Sequence, residues 1–196
     1  MRYIINTIQP VAEDYLCRGF IWGLIANGLL DYDEKDRDRP IIKEECLPYL
    51  YRTIAKYKFE NLPSEEQLSY LIKENGVDKK NEKHFYYGAI EAFFKDCNIY
   101  NEKDIKERIE EVTASGWIKK EFLYEGLGLS LGYLAFGDIN KFTGFVRSLL
   151  DNDGLSHFYY GYCLSLKERY GEDLSKITEL IDSNVPEGFK KQDIEQ

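Results

Sequence analysis

An all-α chain of stacked helical hairpins is what this sequence predicts. Apolar residues recur at helical spacing almost from end to end, and strand-and-hairpin signals are nearly absent. The pentapeptide His84-Phe85-Tyr86-Tyr87-Gly88 returns unchanged as His157-Phe158-Tyr159-Tyr160-Gly161, each copy leading an apolar helical segment and then a polar turn. The five prolines, at positions 10, 40, 48, 63 and 186, each fall near a helix boundary.

Taken in order, helices are expected at 11–29, 41–58, 64–75, 82–96, 102–114, 119–136, 138–150, 156–170 and 172–183. The first holds the most apolar stretch, Tyr15 to Leu30, but Arg18, Asn27 and its short length make it a buried helix rather than a bilayer span. Ser64-Glu65-Glu66-Gln67 is a capping box: the hydroxyl accepts from the amide three residues on, and Gln67 reaches back. Asp138, Ser156 and Asp173 are expected to cap more simply. Gly76, Gly116, Gly137, Gly154 and Gly171 stand where helices should close. Residues 1–186 read as one helical-repeat domain, and 187–196, poor in apolar periodicity, as a frayed tail.

Glycines also stand inside helices, where each costs about 1 kcal/mol relative to alanine, so close helix approach is the expected compensation. Gly128, Gly132 and Ala135 share one face, and Gly19 and Gly23 have a similar spacing. Gly88, Gly126 and Gly161 are separated by 38 and 35 residues, and Gly19 precedes Gly88 by 69, which leaves room for a degenerate unit around Tyr51–Ile54. Each unit reads as a helix bearing the small residue, a turn and a second helix.

Counting from Gly126, Phe122 lies four before it, Phe142 lies 16 after it and Phe145 lies 19 after it; in the last unit Ile177 and Leu180 take the later two places, and Pro186 follows. In these residues and in its period the chain resembles the tetratricopeptide and related helical-repeat families. The resemblance implies a right-handed α-solenoid-like stack of helical hairpins with a period of about 35 residues. The small residue expected early in the second helix is absent and the second unit lacks the glycine, so no ligand is carried over.

Composition narrows the function. The formal net charge is −9 with a pI near 4.9, which opposes attraction to phosphate backbones and anionic lipids, so no direct nucleic-acid or membrane binding is expected and a basic protein partner fits best. Homo-oligomers remain compatible. The four cysteines form no C-x-x-C pair and no histidine stands at metal-ligand spacing, so no metal is expected. Cys17, Cys97 and Cys163 fall in apolar helical pattern and read as buried free thiols of a reducing cytosol. Residues 1–10 carry no secretion signal, which gives a cytoplasmic reading.

Motifs for chemistry are weak. Gly126-x-Gly128-x-x-x-Gly132 has the look of a phosphate loop but lies within helical pattern. The acidic run Asp31–Asp38 lacks the glycine and terminal glutamate of an EF-hand, and Asp151-Asn-Asp153-Gly154 reads as a turn. His84 and His157 occupy equivalent repeat positions and read as packing residues near the inter-unit turn. No catalytic residue and no cofactor is expected.

One constellation suggests binding. The residue before each aligned small position is Arg18, Arg52, Tyr87, Glu125 and Tyr160 in successive units; three residues after the small position, on the same side, stand Trp22, Lys56 and Glu91. Arg18, Trp22, Arg52, Tyr87, Glu91, Glu125 and Tyr160 are therefore the candidate partner-binding residues on a concave face. Phe85, Tyr86, Phe158 and Tyr159 are expected in the core. The leading functional expectation is a non-catalytic protein-binding module, an adaptor, inhibitor or toxin-neutralising partner. One alternative is a small helical enzyme or ligand-binding protein with a tyrosine-lined pocket using Glu91 or Glu125. Another is an acidic nucleic-acid mimic.

Overall fold

Eight α-helices and no strand occupy the residues that the computed structural model describes, which are 17, 21, 23, 44–59, 61–98, 101–135, 139–171 and 173–189. In chain order they are α1 Leu47–Lys58, α2 Glu65–Glu74, α3 Glu82–Phe94, α4 Glu102–Ala114, α5 Lys120–Leu134, α6 Asn140–Leu149, α7 Asn152–Tyr170 and α8 Leu174–Asn184. The all-α expectation is met. Cys17, Ile21 and Gly23 are also helical; the rest of the expected 11–29 helix, with Gly19, and the acidic run 31–38 lie outside the described residues.

Local signals act largely as their chemistry dictates. Ser64 and Gln67 form both halves of the capping box, and Asp173 accepts from the Lys176 amide at 3.0 Å. Gly76, Gly116 and Gly171 have φ of 60°, 70° and 59°, the left-handed values that let a helix close. The expected turn at Asp151–Gly154 is instead the start of α7. The Asp151 side chain accepts from the Gly154 amide at 2.8 Å, so α7 begins before Ser156, and Gly154 sits in its first turn rather than closing α6. Asp138 and Gly137 lie outside the described residues.

Packing divides the helices into two sets. α1, α3, α5 and α7 pack in succession, α1 on α3, α3 on α5 and α5 on α7. α3 and α5 are buried nearly all round, as helices without a strong polar face must be. α2, α4, α6 and α8 are amphipathic and cover them: on α4, Ile105, Ile109 and Val112 turn one apolar stripe inward. Phe85, Phe158 and Tyr159 are fully buried, and Tyr86 is half-buried against Trp117 and Phe122.

The repeated pentapeptide has a geometric cause. A Cβ on Gly88 would land on the backbone carbonyl oxygen of Arg52, and a Cβ on Gly161 on that of Glu125. The two glycine–carbonyl pairs keep the same spacing in sequence. On α5, Gly128 faces the Phe158 carbonyl and Gly132 faces Ser165, so α5 and α7 approach through glycine from both sides. The close approach expected at Gly19 and Gly23 falls on a segment most of which lies outside the described residues.

The cysteine expectation needs correction. Cys17 and Cys46 form a disulfide, with Cα atoms 5.3 Å apart, so Cys17 is not the free thiol its apolar helical pattern predicts. Their sequence separation of 29 hid the pairing, which depends on the tertiary fold bringing Cys17 to Cys46 at the start of α1. Cys97 and Cys163 form no disulfide among the described residues, the first being buried and the second partly so. At the far end Phe189 stacks on Tyr159 with ring centroids 5.2 Å apart, so the chain is anchored a few residues past Pro186.

Candidate functional site

Arg52 is where four helices meet. It sits mid-way along α1, and its side chain is only 11% exposed. Its Nε donates to Glu91 Oε2 on α3 at 3.0 Å and its Nη2 to Glu91 Oε1. Its Nη1 donates to both carboxylate oxygens of Glu168 on α7, at 2.8 and 2.7 Å. The ring of Tyr133, near the end of α5, lies 5.3 Å from the guanidinium carbon, and its hydroxyl donates to Glu168. One arginine thus ties α1 to α3, α5 and α7.

The electrostatics follow from burial and pairing. Burial opposes the charge of Arg52, but the carboxylates of Glu168 and then Glu91 outweigh it and hold its pKa well above the ordinary value. Burial alone would raise Glu91; Arg52, and then Lys56, reverse that and hold it below the ordinary carboxylate value. Lys56, one turn beyond Arg52 on α1, has its Nζ 3.7 Å from Glu91 Oε2 and is 42% exposed. Tyr49, Arg52, Thr53, Lys56, Glu91, Tyr133 and Glu168 together line a recess of about 250 Å³.

A second polar chain runs across α3, α5 and α7. The Tyr87 hydroxyl donates to Glu125 Oε2, and His157 Nδ1 lies 3.0 Å from Glu125 Oε1. Burial, followed by the Glu125 carboxylate, pushes the Tyr87 phenol up, so it stays protonated and donates. His84 stands over Tyr87 edge-on, ring centroids 5.5 Å apart, and burial, then Lys83 and Arg52, lower it to about 4. The two histidines thus share a repeat position but meet different neighbours.

The candidate residues therefore separate into groups. Arg52 and Glu91 are brought together, as are Tyr87 and Glu125. Tyr87, expected on an open surface, is 1% exposed, because its backbone lies against the glycine-tight α1–α3 contact and its hydroxyl is taken by Glu125. Tyr160 is half-buried and sits close enough to Tyr87 to add to its shift. Arg18 and Trp22 lie outside the described residues. Glu168 and Tyr133 were not legible as site residues. No local pattern marks them, and Glu168 is 116 residues from Arg52.

A third feature lies on the other side of α1. Lys58, Phe59, Glu66, Gln67, Tyr70, Leu71 and Glu74 line a shallow groove of about 470 Å³ between the end of α1 and α2. Tyr70 is 67% exposed and Tyr57, at the end of α1, 50%. Among the described residues no group of His, Cys, Asp and Glu side chains is placed to hold a metal ion, and no helix is long and apolar enough to cross a membrane. Comparison with known proteins returns no match to a family model, to a curated protein or to a solved structure.

Proposed function

We propose that this chain is a non-catalytic protein-binding module, built as a right-handed α-solenoid-like stack of hairpins with a tetratricopeptide-like period of about 35 residues, serving as an adaptor, inhibitor or toxin-neutralising partner. The observation that carries the reading is the α1–α2 groove, where Tyr70 stands two-thirds exposed between Glu66 and Glu74, beside Phe59 and Leu71. A tyrosine offers a large apolar body and a polar tip at low entropic cost, which is why such residues anchor interfaces. The repeat is supported by the succession α1, α3, α5, α7 and by the matching contacts of Gly88 and Gly161. A basic partner suits the net charge of −9, which speeds its encounter.

Arg52, Tyr87, Glu91 and Glu125 are each less than a tenth exposed, too little to meet a protein partner, so the proposed protein-binding surface rests on the exposed Tyr57 and Tyr70. The Cys17–Cys46 disulfide favours an oxidising compartment over the cytoplasm. Affinity capture from the native cell, with a Tyr57→Ala/Tyr70→Ala double variant as control, tests the reading. A specific protein should be recovered with the parent chain and lost with the variant while the melting temperature is unchanged. Equal recovery by both chains removes the groove from the mechanism.

A further inference from the structure

Two buried charges and a third partly buried one around one small recess are more than packing requires. Arg52 and Glu91 are less than a tenth exposed and the Glu168 side chain is 15% exposed. An apolar set of the same shape would hold the helices as well or better. The recess they floor, about 250 Å³, falls just under the roughly 300 Å³ at which pockets for drug-sized ligands begin, so its occupant is smaller than those. Tyr49 and Tyr133 contribute aromatic rings to its lining. Lys56, 42% exposed, has three N–H donors, and its ion pair with Glu91 Oε2 at 3.7 Å engages at most one of them.

The charges are also sorted in space. Both cations, Arg52 and Lys56, stand on α1 one turn apart, and both carboxylates come across from α3 and α7. Their formal charges cancel. A lone anion or cation would leave a net charge in a poorly solvated site, whereas a ligand carrying both signs keeps the balance and matches the division. We propose that the recess binds a small zwitterion of the α-amino-acid type, its carboxylate held by Lys56 and its ammonium by Glu91 and Glu168, against the rings of Tyr49 and Tyr133. The residues involved differ from those of the α1–α2 groove, so the site stands whether or not that groove binds a protein.

The test uses the full chain and each of the common L-amino acids, screened by saturation-transfer NMR and followed by calorimetry. At least one should bind saturably. Its affinity should fall by about tenfold or more in Lys56→Gln, and as far when the ligand's amine is acetylated or its carboxylate esterified. Lys103→Gln, 82% exposed on α4, should bind as the parent does. The proposal is overturned if no amino acid binds, if a blocked ligand binds as well as the free one, or if folded Lys56→Gln binds undiminished. The blocked ligands decide the matter on the unmodified chain even if Lys56→Gln fails to fold.

Discussion

Arg52 pairs with one buried and one partly buried carboxylate, so its loss should cost far more than a surface ion pair. Arg52→Met is expected to lower stability by about 3–5 kcal/mol in urea unfolding, because Glu168 loses its ion pair with Arg52 and Glu91 keeps only the longer one to Lys56. Replacing all three by apolar residues of similar volume should recover most of that loss, which separates the energy of burial from the energy of pairing. His84 makes a second prediction. Its folded pKa, about 4, lies below the ordinary 6.5, so the unfolded chain takes up a proton that the folded chain refuses. Its contribution is intact above pH 6.5 and is lost as pH falls toward 4, on the order of 3 kcal/mol in full. His84→Phe should flatten the acid limb of a stability–pH curve in that window. Glu91, held below its ordinary value, adds a loss at still lower pH, as it protonates in the folded chain.

Between helices, the glycines predict a ranked series. Gly88→Ala and Gly161→Ala drive a methyl into backbone carbonyls that move only if a helix moves, and each should cost about 1–3 kcal/mol or more. Gly126→Ala meets the end of the Ile90 side chain, which can turn aside, so its cost should be smaller. Gly144, inside α6, has nothing within 4 Å of its Cβ position, and alanine there should stabilise by about 0.5–1 kcal/mol. Thermal or urea unfolding of the four variants gives the order, and a destabilised Gly144→Ala would contradict it. This level was largely legible beforehand. Ser64, Gln67, Asp173 and the closing glycines act through neighbours a few residues away, and glycine inside a helix has one common compensation. The start of α7 differs from the turn the sequence predicts because Asp151-Asn-Asp153-Gly154 suits a turn and a helix N-terminus equally well, and only packing of the following residues chooses.

Across the molecule, long-range ties join elements that local patterns treat as separate. Reducing the Cys17–Cys46 disulfide, or replacing both cysteines by serine, should lower stability by about 3 kcal/mol through the loop of chain it closes. Thiol labelling of the unreduced, unfolded chain should then count only Cys97 and Cys163 as reactive. Labelling of all four would remove the disulfide. Arg52 ties α1 to α7 in the same long-range sense, and Phe189 packs the segment after Pro186 against Tyr159. The sequence by itself determined the all-α class, most helix ends, the core phenylalanines and the need for close approach at Gly88 and Gly161. These rest on propensity, capping and spacing within one or two turns. Only the tertiary structure decided that Tyr87 is buried, that Arg52 reaches Glu168, and that Cys17 meets Cys46. Those pairings depend on how far successive helices rotate and curve around one another, a sum of small packing angles that no contiguous stretch of residues encodes.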